Sequence, residues 1–271
     1  MTRARSADLP DVLHAEWTKL RTVASTYWLL LAAAALTIAV GAGAAAAFGC
    51  AAGACGAART GADPARISLT GVYLGQAVVA VLAAAGIGGE YGTGMIRVTL
   101  TAAPRRLTVL AAKAAVLTGC VLASGLVAVG GSVLAGWLIL PGRGLSAANG
   151  YAPLSLANGP DLRAAAGTVI YLALIALLAL GITTAIRDSS TAIGVVLGLL
   201  YLFPIISEVV SGHALARRLE QIAPMTAGLD IEATVGLRSL PLAPWEGLGV
   251  LAAWAAGALV LGGLSLRLRD A

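Results

Sequence analysis

The sequence predicts an all-α, multi-pass membrane protein with six transmembrane helices and an N-terminal interfacial helix. Three observations support this fold class. Hydrophobic residues make up 59% of the chain and charged residues only 11%, whereas soluble domains average about 25% charged residues. The mean hydropathy is +0.89. Six apolar runs are each long enough to cross about 30 Å of hydrocarbon.

The six runs define one membrane domain, with residues 1–27 before it and 267–271 after it. The third run is longer than one perpendicular span requires and has most of its apolar weight in residues 114–137. It is therefore expected to tilt or to extend beyond the bilayer. The predicted spans are Trp28–Phe48, Ile67–Ile87, Leu107–Leu140, Ala164–Ile186, Ala192–Val210 and Trp245–Leu266.

The distribution of cations predicts the orientation. Six spans place both termini on one side, and with that side inside, eleven of the 18 Lys and Arg residues lie on inner segments. Because cytoplasmic loops carry an excess of Lys and Arg, we expect a protein of the cell membrane with both termini in the cytoplasm. The inner cations are Arg3, Arg5, Lys19, Arg21, Arg97, Arg105, Arg106, Lys113, Arg187, Arg267 and Arg269.

Residues 9–22 have the pattern of an amphipathic helix that precedes the first span. Apolar side chains recur at helical spacing, and charged side chains lie away from them. Such a helix lies in the membrane interface or packs on a partner protein, and the two are compatible. The apolar positions are Leu9, Leu13, Trp17 and Leu20, and the charged positions are Asp11, Glu16, Lys19 and Arg21.

The outer loops leave two questions open. The longest, residues 211–244, contains a helical pattern at His213–Ile222 that Pro224 ends. This loop either caps the outer mouth of a pathway or lies on the surface. Cys50 and Cys55 in the first outer loop can form a disulfide in an oxidising exterior.

The sequence argues against catalysis by this chain alone. A phosphate-binding loop needs a lysine preceded by glycine, and neither Lys19 nor Lys113 follows one. His14 and His213 fall on opposite sides of the predicted membrane, which excludes a shared zinc ion. No G-x-S-x-G motif occurs, and no basic patch with interleaved aromatics suggests nucleic acid. We therefore expect no enzyme activity, no cofactor and no nucleic-acid partner.

Few ionisable residues fall within or near the predicted spans. Glu90 lies at the inner end of the second span, Lys113 in the first turns of the third, and Glu208 near the outer end of the fifth. Gln76 is polar but does not titrate. A charge at the midplane costs about 2.5–3.5 kcal/mol on insertion scales, and none is evident there. This pattern favours an external energy source over a proton relay.

Residues 88–113 form a polar, cationic segment between two apolar runs. Glu90 and Tyr91 begin it, Gly94 with Gly92 permits a change of chain direction, and Pro104 ends it. Ile96 and Leu100 are expected to form an apolar face, with Arg97 directed away from it. Arg105 and Arg106 are expected to anchor the third span at the inner membrane surface. From the pattern alone, a plain cytoplasmic loop is the simpler interpretation, and a docking surface is the alternative.

These residues resemble a known family. The run from Glu90 to Lys113 closely resembles the permease subunit of bacterial ATP-binding-cassette exporters of the type-2 class, in particular their actinobacterial branch. Residues 15–21 are similar to the elbow helix of that family, with Glu16, Trp17, Lys19, Leu20 and Arg21 as its polar and interfacial positions. Gly92 and Met95 depart from the pattern, where the family often has a cation and a threonine.

The resemblance implies a dimer of membrane subunits and two separate cytoplasmic ATPase subunits, which bind the ATP. It also implies that residues 91–104 form the helix that contacts the ATPase. The expected cargo is a hydrophobic or amphipathic drug, peptide or lipid. Two alternatives stay open: an ion-coupled secondary transporter, and a membrane scaffold or immunity protein that transports nothing. The implied coupling residues are Glu90, Tyr91, Gly94, Ile96, Arg97, Leu100, Pro104, Arg105 and Arg106.

Overall fold

The computed structural model describes residues 9–49, 62–92, 94–95, 106–209 and 212–268. Within these ranges every regular element is a helix. The α-helices are α1 (Leu9–Thr22), α2 (Ala24–Ala47), α3 (Pro64–Leu69), α4 (Val72–Gly92), α5 (Arg106–Ile139), α6 (Gly159–Ile186), α7 (Ser189–Val209), α8 (His213–Ile222), α9 (Pro224–Leu229) and α10 (Pro244–Leu268).

Six of these helices are long and apolar enough to cross a membrane: α2, α4, α5, α6, α7 and α10. The predicted multi-pass, all-helical architecture is therefore confirmed. The start of α5 and the ends of α6 and α10 lie together, because Arg106 and Arg187 contact the carbonyl groups of Leu266 and Ser265. We call this the α1 end of the bundle, since α1 packs there too.

The centre of the bundle is α6. Buried residues make up 67% of its apolar window, against 17% for α7, so α6 is the central span and α7 a peripheral one. The helices α6 and α10 approach each other closely at Gly181. A Cβ atom there would lie 2.4 Å from the carbonyl carbon of Ala258, so only glycine permits this backbone contact.

The starts of the second and fourth spans differ from the predictions. The second span begins at Val72 rather than Ile67, because residues 64–69 form the separate helix α3. Asp63 caps α3 by accepting the backbone N–H groups of Ala65 and Arg66. The fourth span begins at Gly159 rather than Ala164, with a proline in its first turn.

The third span is one unbroken helix of 34 residues, which corresponds to about 50 Å. It therefore extends beyond a hydrocarbon core of about 30 Å. Its first turns lie against α1, where Val12 packs on Val109 and Ala112. This extension gives α1 its main contact with the bundle.

The helices α1 and α8 form with the predicted bounds, residues 9–22 and 213–222. The rest of the long loop differs from a surface loop. Residues 223–233, which we call the buried loop segment, are buried almost throughout. Ile231 packs on Gly167 in α6, and Ala227 lies against Gly247 in α10. The expectation that residues 211–244 form a solvent-exposed surface loop is therefore wrong for residues 223–233.

Candidate functional site

Four charged side chains meet inside the α1 end of the bundle. Lys113 Nζ in α5 donates to Glu16 Oε2 in α1 and to Glu90 Oε1 in α4, each at 2.7 Å. Lys19 Nζ in α1 donates to Glu16 Oε1 at 2.8 Å and to Glu90 Oε1 at 3.1 Å. We call these four residues the ion cluster. It connects α1 to the ends of the second and third spans.

The ion cluster is internally neutral and largely shielded from solvent. Glu16, Glu90 and Lys113 are 4%, 7% and 8% exposed. Charges so deeply buried must be paired, because removing one partner leaves an uncompensated ion at a cost of about 3–5 kcal/mol. The cluster therefore fixes the position of α1 relative to α4 and α5.

Lys19 is the outermost member of the ion cluster, and about a third of its side chain is exposed. Burial lowers its pKa, but the adjacent carboxylates of Glu16 and Glu90 outweigh that effect and raise the pKa above its usual value. Lys19 therefore stays protonated at physiological pH, and its ion pairs persist there.

One carboxylate oxygen of the ion cluster has no protein partner in the described part of the chain. Glu90 Oε1 accepts from both lysines, whereas Glu90 Oε2 is buried and accepts no hydrogen bond from the described residues. Both oxygens of Glu16 accept from a lysine. A buried acceptor without a donor is costly, so this oxygen reduces the net stabilisation that the ion cluster provides.

A cavity of about 380 Å³ adjoins the ion cluster. It lies between α1 and the turns of α2, α4 and α5 nearest to α1, with one wall residue from α6. Its charged end is the ion cluster, and its other walls are mainly apolar, although Thr22, Ser25 and Thr26 also line it. The apolar wall residues include Leu29, Leu82, Ile87, Leu117 and Leu180. The cavity is therefore amphipathic.

Two arginines hold the end of the sixth span beside this site. Arg106 donates to the carbonyl oxygen of Leu266 at 2.6 Å, and Arg187 donates to that of Ser265 at 2.9 Å. Cations at a helix C-terminus satisfy its last carbonyl groups and interact favourably with the helix dipole. The Arg187 guanidinium also lies 5.8 Å from the ring centre of Tyr91. The ends of α4, α6 and α10 are thereby joined.

The structure describes four of the nine predicted coupling residues. Glu90 belongs to the ion cluster, Tyr91 lies beside Arg187, and Arg106 begins α5. Gly94 has φ +70, the left-handed conformation that glycine adopts readily. The other predicted coupling residues, Ile96, Arg97, Leu100, Pro104 and Arg105, lie outside the described residues, as do Cys50 and Cys55.

In α1, the face that Glu16 occupies differs from the prediction. The pattern placed Glu16 on the polar side, away from the apolar contacts, but it is buried against Lys113. Leu20 lines the cavity, whereas Trp17 and Arg21 are exposed. The apolar pattern predicted the bounds of α1 correctly. It did not predict which face of α1 packs on the bundle, because that face is determined by the ion pair between Glu16 and Lys113 in α5.

The pairing of Glu16 with Lys113 was not predicted. Both residues were identified separately, as a helix charge and as a span charge. The available signal was spacing: Val12, Glu16 and Lys19 lie at i, i+4 and i+7, which is one face of a helix. Glu16 and Lys19 on that face are complementary in charge to Lys113 and Glu90 at the ends of spans three and two.

A second polar cluster lies at the opposite end of the bundle. Gln76 in α4 is fully buried, accepts from the Tyr171 hydroxyl, and donates to the Tyr201 hydroxyl at 3.3 Å and to the Met225 sulfur at 3.2 Å. Met225 belongs to the buried loop segment. Gln76 therefore ties that segment to α4, α6 and α7.

Asp63 attaches the chain just beyond the buried loop segment. Its carboxylate accepts the backbone N–H groups of Thr234 and Val235 and the Thr234 hydroxyl, in addition to capping α3. One side chain thus joins the segment before α3 to the segment between α9 and α10.

Two acids of the buried loop segment are almost inaccessible. Asp230 and Glu232 are 5% and 1% exposed. Burial raises the pKa of Asp230 to about 6 and that of Glu232 to about 8, with Arg66 opposing in both cases. Each has one buried oxygen that accepts no hydrogen bond from the described residues. Glu232 is therefore protonated at neutral pH.

These two acids add to the candidates for ion coupling, for which the sequence indicated only Glu90 and Glu208. Asp230 and Glu232 were missed because they lie in a loop, and loops are expected to be solvated. Glu208 is exposed. Within the described ranges, no group of three or more His, Cys, Asp or Glu side chains could hold a metal ion.

Comparison of the sequence with models of protein families and with curated proteins finds no match to either.

Proposed function

We propose that this chain is the membrane-spanning subunit of an ATP-driven exporter of the ATP-binding-cassette type-2 class, resident in the cell membrane. The observation that carries the proposal is the ion cluster. It joins α1 to the two span ends between which the polar segment resembling the ATPase-contacting helix of that class runs. The α1 end is the cytoplasmic end in this proposal.

The proposed mechanism transmits force through this cluster. Separate ATPase subunits bind residues 91–104 and close on ATP, which displaces the ends of α4 and α5. Glu90 and Lys113 sit at those ends, and both pair with α1. The displacement therefore moves α1 and changes the amphipathic cavity beneath it. A second permease subunit, identical or related, completes the pathway, with membrane lipids around it.

The test is a pull-down of the tagged chain from its native membrane in mild detergent. A stoichiometric cytoplasmic ATPase is expected to co-purify. Charge reversal at Arg97 or truncation of Leu100 should release it, since both are predicted to face the ATPase. Arg143→Glu is the matched control, because Arg143 is exposed at the opposite end of the bundle. Retention of the ATPase by the Arg97 and Leu100 variants contradicts the proposed contact.

A second candidate function, ion-coupled transport, is favoured by Asp230 and Glu232. Buried acids with raised pKa values are typical of proton pathways in transporters. This function requires a proton gradient and no ATPase partner. Uptake or efflux by the chain alone in proteoliposomes, driven by a pH gradient and lost in Glu232→Gln, would support it over the exporter.

The third hypothesis is a membrane scaffold or immunity protein that transports nothing. Co-purification of a partner without ATP-dependent movement of any cargo would favour it.

A further inference from the structure

We infer that a groove between α6, α8 and α10 binds one anionic phospholipid, whose phosphate contacts Arg218 and whose acyl chain lies along α10. We call this groove the lipid groove. The lipid is a resident of the site and not a transported cargo, so the inference does not depend on the proposed export function.

The lipid groove opens sideways from the bundle. Its volume is about 560 Å³, within the range of about 300–1,000 Å³ typical of small-molecule sites. Leu178 and Ala258 are buried at its floor, whereas Gly257 and Leu261 are exposed at its rim. Because α6 and α10 are both candidate membrane spans, the open side faces the lipid that surrounds them.

The length of the lipid groove matches one acyl chain. Its lining residues in α10 run from Val250 to Leu261, a distance of about 16 Å along the helix. This is about half of a hydrocarbon core of about 30 Å, which is the thickness of one leaflet. The groove therefore accommodates one chain from one leaflet.

The end of α8 lies against the lipid groove. Gln221 and Ile222, the last two residues of α8, both line it. Gln221 Nε2 donates to the carbonyl oxygen of Pro241 at 3.0 Å, and Trp254 Nε1 donates to that of Ile222 at 2.9 Å. These bonds hold α8 in place and occupy the polar donors of the groove wall, so the group that binds a headgroup must lie beside the wall.

Arg218 supplies that group. It precedes Gln221 by three residues and Ile222 by four, so the three side chains lie on one face of α8. Arg217 precedes Gln221 by four residues and lies next to this face. Both arginines are exposed, and neither forms an ion pair with another described residue.

The neighbouring acids do not neutralise Arg218. Glu220 is two residues from it and therefore lies on a different face of α8. Glu208 belongs to α7, and neither acid lines the lipid groove.

Charge complementarity determines the occupant. A guanidinium group donates two parallel hydrogen bonds to a phosphate, and an anionic phospholipid brings no cation of its own, whereas phosphatidylcholine does. A second copy of this chain would cover the groove with an apolar helix and leave Arg217 and Arg218 without a partner. The anionic phospholipid is therefore the best match.

A glycine allows the lipid groove to be filled. Gly257 lines it, and a Cβ atom added there meets no heavy atom within 4 Å, so Gly257→Phe occupies the groove without displacing a helix. Gly119 is also exposed and unobstructed but lies in α5, which contributes no residue to the groove. Gly119→Phe is therefore the matched control. Arg238→Gln is the control for charge, because Arg238 is exposed and does not line the groove.

The experiment titrates the delipidated full chain in neutral detergent with phosphatidylglycerol or with phosphatidylcholine of the same acyl chains, and native mass spectrometry counts the bound lipids. We expect one phosphatidylglycerol per chain, bound more tightly than phosphatidylcholine. Arg218→Gln should weaken phosphatidylglycerol binding about fivefold, the contribution of one arginine near an anionic lipid surface. Adding Arg217→Gln should remove the preference over phosphatidylcholine. Gly257→Phe should abolish binding of both lipids at this site.

The controls separate this site from general charge attraction. Gly119→Phe and Arg238→Gln should bind phosphatidylglycerol as the wild type does. Higher ionic strength should weaken phosphatidylglycerol binding to the wild type but not to the variant that lacks both arginines.

Three outcomes overturn the inference. The first is equal affinity of the wild type for the two lipids. The second is wild-type binding by Gly257→Phe or by the variant that lacks both arginines. The third is a dimer in the same spectra that Gly257→Phe dissociates while lipid binding persists, which assigns the groove to a second copy. ATPase co-purification is measured separately, so failure here leaves the proposed function standing.

Discussion

Removing the central cation of the ion cluster is the sharpest test of the structure. Lys113→Met keeps the length of the side chain but deletes the ammonium group that donates to Glu16 and Glu90 at 2.7 Å each. Two buried carboxylates then share only Lys19, which is partly exposed. Breaking a buried ion pair costs about 3–5 kcal/mol. Because Lys19 still pairs with both carboxylates, we expect the free energy of unfolding to fall by the lower value, about 3 kcal/mol.

The assay is thermal unfolding in detergent, followed by size-exclusion chromatography of heated samples. For a chain of this size, about 3 kcal/mol lowers Tm by about 6–12 °C. Arg143→Met, at an exposed position of the opposite end, should change Tm by less than about 2 °C, since exposed charges contribute little.

A double-mutant cycle separates the ion pair from side-chain packing. Glu90→Gln should cost less in the Lys113→Met background than in the wild type, because the carboxylate has already lost that partner. Strict additivity, or a Tm for Lys113→Met equal to that of Arg143→Met, would show that the four charges do not form one cluster.

Three further predictions concern the opposite end and the centre of the bundle. Burial raises the pKa of Glu232 to about 8 from 4.5, so the native carboxyl stays protonated where the unfolded one ionises. The contribution of this carboxyl group to stability should be full below pH 4.5 and fall as the pH rises. Its total loss should reach up to about 5 kcal/mol above pH 8, because each unit between the two pKa values is worth about 1.4 kcal/mol. Tm measured from about pH 5 to 9 checks this, and Glu232→Gln should flatten the curve. Gly181→Val places a Cβ 2.4 Å from the carbonyl carbon of Ala258 and should cost about 3 kcal/mol by separating α6 from α10, whereas Gly119→Val should be neutral in the same thermal assay. Asp63→Ala removes the acceptor for the backbone of residues 234 and 235 and should speed proteolytic cleavage of that loop several-fold; an unchanged digestion pattern contradicts the contact.

The spans illustrate what a local pattern can and cannot predict. All six were placed by apolar length, since about 20 apolar residues suffice to cross a bilayer, and six such helices occur in the described part of the chain. The boundaries shifted where a cap intervened, as at Asp63, which starts a separate helix before the second span. Capping depends on side-chain geometry, which hydropathy does not measure.

The helix α1 shows the same difference between what a local pattern predicts and what it does not. Its bounds followed from the spacing of apolar residues, but its rotation did not. The stripe of Leu9, Leu13, Trp17 and Leu20 predicted a face that lies in the membrane interface or on a partner, but it did not predict that Val12 and Glu16 would pack against α5. The charge of Glu16 was neutralised by a residue in another helix, which outweighed the apolar stripe.

By itself, the sequence determined the class of protein, the number and approximate positions of the spans, and the helices at residues 9–22 and 213–222. These features follow from composition and spacing within about twenty consecutive residues. Only the tertiary structure decided which charges neutralise one another and which loop residues are buried. Glu16 and Lys113 are 97 residues apart, and Thr168 and Glu232 are 64 apart. Such pairs form because burial makes an unpaired charge or polar group costly, and burial is a property of the packed bundle rather than of any single segment.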